Sequence, residues 1–330
     1  MYYIGVDLGG TNIAAGVVDE NGKILVQDST ATLNERPYTE IVKDMANLCK
    51  KIIDDAGLAE SDIKAIGIGS PGSIDNENGV VVYANNLKMD HSPTAAELKK
   101  YINVPVNIEN DANAAAYGEY VINGGGVDDF VFITLGTGVG GGVIINKKIY
   151  RGFNGAGGEL GHITLVHDGE PCTCGNRGCW EAYASVTALI RQTEAAMKEN
   201  PDSMMHEVAK KENKVSGKTA FIAAKNGDAA AQKVVDTYID YVADGIMSVI
   251  NIFQPEKLVI GGGISKEGDY LLKPIIRYVD KGGYNKYMKK TKISIATLFN
   301  DAGIIGAALA ARKQNPRLTF VCWICYNSPA

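Results

Sequence analysis

No Lys/Arg-rich block offsets the formal net charge of −5, so the chain lacks the electrostatic footprint of a nucleic-acid binder. The densest basic run, residues 286–292, reads as a solvated turn. No window approaches the roughly 18 apolar residues of a membrane span. The opening Met1-Tyr2-Tyr3-Ile4-Gly5-Val6-Asp7 has neither the basic nor the long apolar region of a signal peptide. These absences set the expectation of a cytoplasmic protein with no nucleic-acid or membrane partner. Cysteine is scarce, six in 330 residues, and Cys172, Cys174 and Cys179 lie too close together for a loop-closing disulfide framework. Cys49 falls on a helical pattern and reads as a small buried hydrophobe. A G-x-x-x-x-G-K-[ST] loop is also missing, which excludes P-loop chemistry.

What is present fits two domains of ordinary size with alternating strands and helices. Strands are predicted over 3–8 and 13–18, followed by the hairpin signal Asn21-Gly22. Ile41, Met45, Leu48 and Ile52 recur at helical spacing, with Gly57 as the stop. A strand over 65–68 leads into Gly69-Ser70-Pro71-Gly72, and Ser92-Pro93 predicts a capped helix running to Tyr101. A strand over 104–108 delivers Glu109-Asn110-Asp111 to an alanine-rich helix over 112–120. Later come an amphipathic helix over 229–253, a buried strand over 257–260 ending at Gly261-Gly262-Gly263, and a helix over 303–313. Strand, glycine turn, strand occurs twice, at Ile4 to Val18 and at Phe132 to Ile145, a repeat in pattern more than in identity. Residues 315–330 form an atypical apolar tail. It reads as an interface segment or a cloning or frameshift scar rather than an edge strand, and its Cys322-x-x-Cys325 has no partner ligands nearby.

The most informative segment is 131–181. Gly136-Thr137-Gly138-Val139-Gly140-Gly141 matches G-x-G-x-x-G, but a strand follows it where a dinucleotide site needs a helix. What remains is a hairpin turn whose bare amides and Thr137 hydroxyl can approach phosphate. Beyond it lie Glu159-Leu160-Gly161-His162 and Cys172-Thr173-Cys174-Gly175-Asn176-Arg177-Gly178-Cys179-Trp180-Glu181. Three cysteines and a histidine can close a tetrahedral zinc site, and by spacing alone either His162 or His167 could be the fourth ligand. Glutamates beside such a site can grip hydroxyl groups. Nucleotide, metal and polyol together point to a sugar kinase.

From about Tyr3 to Arg312 the chain resembles the ROK family of sugar kinases and repressors, within the actin-like ATPase superfamily. The likeness rests on Asp7-Leu8-Gly9-Gly10-Thr11, Glu109-Asn110-Asp111-Ala112-Asn113-Ala114-Ala115, the glycine hairpin, Glu159 to His162 and the Cys-x-Cys-Gly-x-x-Gly-Cys-x-Glu element, and it is strongest to bacterial ROK glucokinases. It implies an α/β fold of the duplicated, ribonuclease H-like kind, with two domains around a nucleotide and sugar cleft. The small domain would hold 1–111 plus about 301–314, and the large domain 112–300 with the zinc loop. The resemblance makes Asp111 the general base, although an aspartate there also suits a helix N-cap. Gly72, Asn86, Asn110, Asp111, Glu159, His162 and Glu181 would contact the sugar. Asp7, Gly9, Gly10, Thr11, Asn12, Thr134, Gly136, Thr137, Gly138, Gly261, Gly262 and Gly263 would face ATP, with Asp7 helping to hold Mg²⁺. His162, Cys172, Cys174 and Cys179 would bind a structural zinc ion. A homodimer or higher homo-oligomer is implied by the family alone. The expected reaction is ATP- and Mg²⁺-dependent phosphorylation of glucose. N-acetylmannosamine, N-acetylglucosamine, fructose and allose are rival acceptors, and polyphosphate is a rival donor. The family's repressors carry a DNA-binding domain ahead of the first strand, and only three residues precede Ile4, which disfavours that reading.

Overall fold

A computed structural model describes residues 1–284 and 286–314; the tail noted above lies outside the described residues. The chain opens with β1 (Tyr2–Leu8), β2 (Asn12–Asp19) and β3 (Ile24–Ala31), then α1 (Tyr38–Asp55) and β4 (Ile63–Ser70). Three short strands follow, β5 (Ser73–Asp75), β6 (Val80–Ala84) and β7 (Met89–Ser92), then α2 (Thr94–Leu98), β8 (Val106–Asn110) and α3 (Asp111–Asn123). Next come β9 (Phe130–Leu135), β10 (Val139–Ile145), β11 (Lys148–Ile149), α4 (Glu181–Ala184), α5 (Val186–Glu199), α6 (Met205–Lys211), α7 (Thr219–Lys225) and α8 (Ala229–Phe253). The last elements are β12 (Lys257–Gly261), α9 (Asp269–Gly282), β13 (Lys292–Ile295) and α10 (Asp301–Gln314).

The two five-stranded sheets have orders β3-β2-β1-β4-β8 and β11-β10-β9-β12-β13. In the first, β1 and β2 are antiparallel, as are β2 and β3, while β1, β4 and β8 are parallel. In the second, β10 and β11 are antiparallel, while β9, β12 and β13 are parallel. One strand plan is thus used twice, and the pattern repeat in the sequence is its trace. β5, β6 and β7 make a separate three-stranded antiparallel sheet.

Strand β1 reads as a continuous apolar run because both of its faces are covered. Ile4, Val6 and Leu8 share a core with Ile41, Met45 and Ile52 of α1, whereas Tyr3 packs with Ile304 and Ala308 of α10. The helix can lie close because Gly5 and Gly67 present no side chain; a Cβ there would fall 1.8 Å and 1.9 Å from the carbonyl oxygens of Ile304 and Ala307. The long helix α8 has the bounds that its periodicity predicts, with Val234, Ile239, Val242, Ile246 and Val249 buried and the Asp228 side chain accepting from Ala231 N at 2.8 Å. Among the described residues no helix is long and apolar enough to cross a membrane.

Three local expectations differ from the structure. Helix α2 ends at Leu98 and does not run to Tyr101. Ser92 is not the cap of α2: it stays paired with Val81 in the β6–β7 ladder, and Pro93 takes the cap position. Strand β8 starts at Val106, two residues later than expected, and runs to Asn110. The chain divides into a first unit of Met1–Gly126, Gly142–Gly158 and residues 298–314, and a second of Val127–Gly141 and Glu159–Thr297. The expected break at Asp111 falls inside the first unit because α3 packs along α10, where Gly306 lies against the backbone of Ala114.

Candidate active site and metal centre

In the first unit, Asp7 sits near the end of β1, between Ala14 of β2 and Gly69 of β4. The following turn closes through Gly9 N donating to Asn12 O at 2.9 Å. Fully buried Thr32 braces it, with Oγ1 donating to Gly9 O at 2.7 Å and N donating to Thr11 O at 3.0 Å. The turn Asn85–Leu87 lies directly on Gly10, whose Cβ would stand 3.1 Å from Asn86 O. Asn34 Nδ2 holds that same oxygen at 2.7 Å. Gly9, Gly10, Thr11, Asn12 and Asn86 therefore form one cluster. Thr32 and Asn34 belong to no motif; only the pairing of β2 with β3 brings them beside Gly9.

At the end of β8 the cap of α3 is Asn110, not Asp111. Asn110 Oδ1 accepts from Ala112 N at 3.0 Å and Asn113 N at 3.1 Å, and its Nδ2 donates to Gly72 O at 3.3 Å. One Nδ2 hydrogen remains for a ligand. Asp111 is thereby relieved of capping. Its Oδ1 accepts from Ala112 N at 2.8 Å.

Burial raises the pKa of Asp111 above the usual carboxylate range. Burial, and then the nearby charge of Asp111, raise that of Asp7 to about 6. Neither carboxylate is in an ion pair among the described residues, so a cation beside Asp7 would relieve both. This strain sets a stability expectation. An unfolded aspartate titrates near 3.9, so folded Asp7 binds its proton more tightly and stability falls as pH rises from about 4 to about 6. Asp7→Asn is expected to stabilise the cation-free protein by about 2 kcal/mol at pH 8, with the gain vanishing by about pH 4. Urea unfolding at both pH values checks this; a pH-independent gain would remove the buried charge as its cause.

In the second unit, the turn after β9 closes through Gly136 N donating to Gly138 O at 3.0 Å. It is braced by Val186 N donating to Gly136 O at 2.8 Å and Thr187 Oγ1 donating to Thr137 O at 2.7 Å. Glu181 Oε2 accepts from Val139 N at 2.9 Å, and a Cβ on Gly138 would fall 2.3 Å from that oxygen. Gly261 pairs with Thr134, and Gly262 lies on the Leu135 carbonyl, so the two glycine segments are neighbours at the ends of β9 and β12.

The turn Leu160–His162 supplies His162, and a loop closed by Cys172 N donating to Asn176 O at 2.9 Å supplies the cysteines. Ligand atoms of His162, Cys172, Cys174 and Cys179 all lie within 4.8 Å of one another. His162 Nδ1 is 3.7 Å from Cys172 Sγ, and Cys174 Sγ is 3.6 Å from Cys179 Sγ. Tetrahedral zinc, with Zn–S near 2.3 Å and Zn–N near 2.0 Å, separates its ligand atoms by about 3.6–3.8 Å. The four side chains fit that ion, and all three cysteines are free. Exposed His167 is outside the cluster, which resolves the choice that spacing left open. Burial pushes the Cys179 thiol up to about 12, so without a cation it keeps its proton. Glu159 is exposed at the start of the His162 turn, and Glu181 opens α4 with Oε1 accepting from Thr173 Oγ1 at 3.3 Å.

The ROK family model matches residues 3–314. The glucokinase of Thermotoga maritima is 39% identical over 313 residues, 94% of this chain and 97% of that one. The glucokinase of Halalkalibacterium halodurans is 37% identical over 315 residues, 95% of this chain and 96% of that one. A crystal structure of a ROK family glucokinase from Streptomyces griseus in complex with glucose and AMPPNP matches with a TM-score of 0.80 at 37% identity, covering 95% of this chain and 100% of that one.

Proposed function

Because this chain belongs to the ROK family, we propose that it is a glucokinase, transferring the γ-phosphoryl group of ATP to the 6-hydroxyl of glucose. The observation that carries this reading is near-full-length similarity to glucokinases, one of them solved with glucose and AMPPNP. The side-chain arrangement supports it. Asp111, released from capping by Asn110 and made more basic by burial, accepts the proton of the attacking hydroxyl. The donors we assign to the nucleotide are the backbone and hydroxyl groups of Gly9, Gly10, Thr11 and Asn12 and of Thr134, Gly136, Thr137, Gly138 and Gly261 to Gly263. Phosphoryl transfer is largely positioning and electrostatics, which suits a site built from backbone turns. Mg²⁺ beside Asp7 would neutralise charge on the phosphates. Gly72, Asn86, Asn110, Glu159, His162 and Glu181 make up the sugar side. Zinc on His162, Cys172, Cys174 and Cys179 would be structural, since four protein ligands leave no open position. A cytoplasmic homodimer completes the reading.

An ADP-release assay over a panel of hexoses and phosphoryl donors tests this, with glucose and ATP expected to give the highest kcat/KM. Polyphosphate outperforming ATP would revise the donor, and no turnover of any hexose would end the kinase reading. Glucose is also expected to exceed N-acetylmannosamine and N-acetylglucosamine by at least about tenfold, because a site built to hydrogen-bond a free hydroxyl discriminates strongly. A higher kcat/KM for either acetylated sugar would change the acceptor and leave the kinase reading standing.

A further inference from the structure

Residues 151–158 read Arg-Gly-Phe-Asn-Gly-Ala-Gly-Gly and lead directly into Glu159. Such a glycine-rich segment has little side chain with which to hold a conformation. Its one large apolar side chain, Phe153, is 100% exposed. Local hydrogen bonds are few: Gly157 N donates to Arg151 O at 2.8 Å and Ala156 N to Asn154 Oδ1 at 3.2 Å. What ties the segment down is Arg151. Its Nε donates to Glu109 Oε2 at 2.8 Å and its Nη2 to the same oxygen.

Glu109 is 4% exposed, and both of its oxygens are engaged. Oε1 accepts from Asn110 N at 3.1 Å and from Asn113 Nδ2 at 3.3 Å. One buried carboxylate thus joins the turn that carries Asn110 and Asp111 to the arginine that opens the glycine segment. Nothing in the phosphate or acceptor chemistry requires an ion pair here, and a buried pair is a poor source of net stability. An arginine fork does provide direction, because its planar donors fix the angle at which the chain leaves.

We propose that Arg151 is a positioning residue for the acceptor sugar: by gripping Glu109 it holds residues 152–158 in one conformation and thereby sets the direction in which the chain delivers Glu159. This rests on the sugar-kinase reading above. The test compares wild type with Arg151→Met, Arg151→Lys and the double variant Glu109→Gln/Arg151→Met in steady-state kinetics, thermal unfolding and hydrogen exchange. Arg151→Met is expected to raise the KM for glucose by about tenfold or more while kcat and the KM for ATP change less than about threefold. Arg151→Lys, which keeps the charge but loses the planar fork, should recover only a small part of that loss. The double variant, which leaves no buried lone charge, should regain thermal stability yet keep the raised KM. A double variant that regains both would show the pair to be structural only and overturn the proposal, as would a wild-type KM in Arg151→Met. Amide exchange in 152–158 should quicken by about tenfold in Arg151→Met. That measurement needs no turnover. If wild type failed to phosphorylate any sugar, the kinase reading would fall, and unchanged exchange in 152–158 would separately refute the grip of Arg151 on the segment.

Discussion

Asp111→Asn is expected to lower kcat by about 10²- to 10⁴-fold while glucose affinity stays within a few-fold. The amide keeps the size of the side chain and can still accept from Ala112 N, as Asp111 Oδ1 does at 2.8 Å. It cannot take the proton of the attacking hydroxyl. Capping does not confound the result, because Asn110 caps α3. Nor should the variant be less stable, since burial already disfavours the Asp111 charge and a neutral group is easier to bury. Stopped-assay kinetics with calorimetric glucose titration would check both halves. An unchanged kcat would sink the general-base assignment, and a large loss of glucose affinity would make Asp111 mainly a binding group.

The second large effect concerns the metal. Freshly prepared protein is expected to carry one zinc ion per chain, and Cys174→Ser to lose it. The expected stability loss is about 3 kcal/mol, or roughly 5 °C in Tm for a chain of this size. Sugar affinity should fall in parallel, because the loop that bears the ligands also bears Glu181. That carboxylate is held between Thr173 Oγ1 and Val139 N, so loosening residues 172–179 frees it on one side. Metal analysis of unchelated protein showing no zinc would refute the site. Normal glucose affinity in metal-free Cys174→Ser would separate the metal from sugar recognition.

The amino-acid sequence alone determined the elements whose signals are local. Helix α8 runs from Ala229 to Phe253 as its apolar spacing predicts, and both glycine turns follow their strands at the expected places. A 3.6-residue or 2-residue period is complete within a few turns, so nothing distant needs to be known. The family was legible too, because its motifs are short runs around turns and ligands. The tertiary structure decided whatever depends on a partner far along the chain. Asn110 rather than Asp111 caps α3, and Ser92 remains in a ladder rather than capping α2. Thr32 reaches Gly9 across 23 positions, and Arg151 reaches Glu109 across 42. His162 joins the cysteines where His167, nearer to Cys172 in sequence, does not. No single side chain encodes such choices. They follow from which strands lie side by side and which carboxylates end up buried, and a buried polar group must take the partner that the fold brings within hydrogen-bond reach.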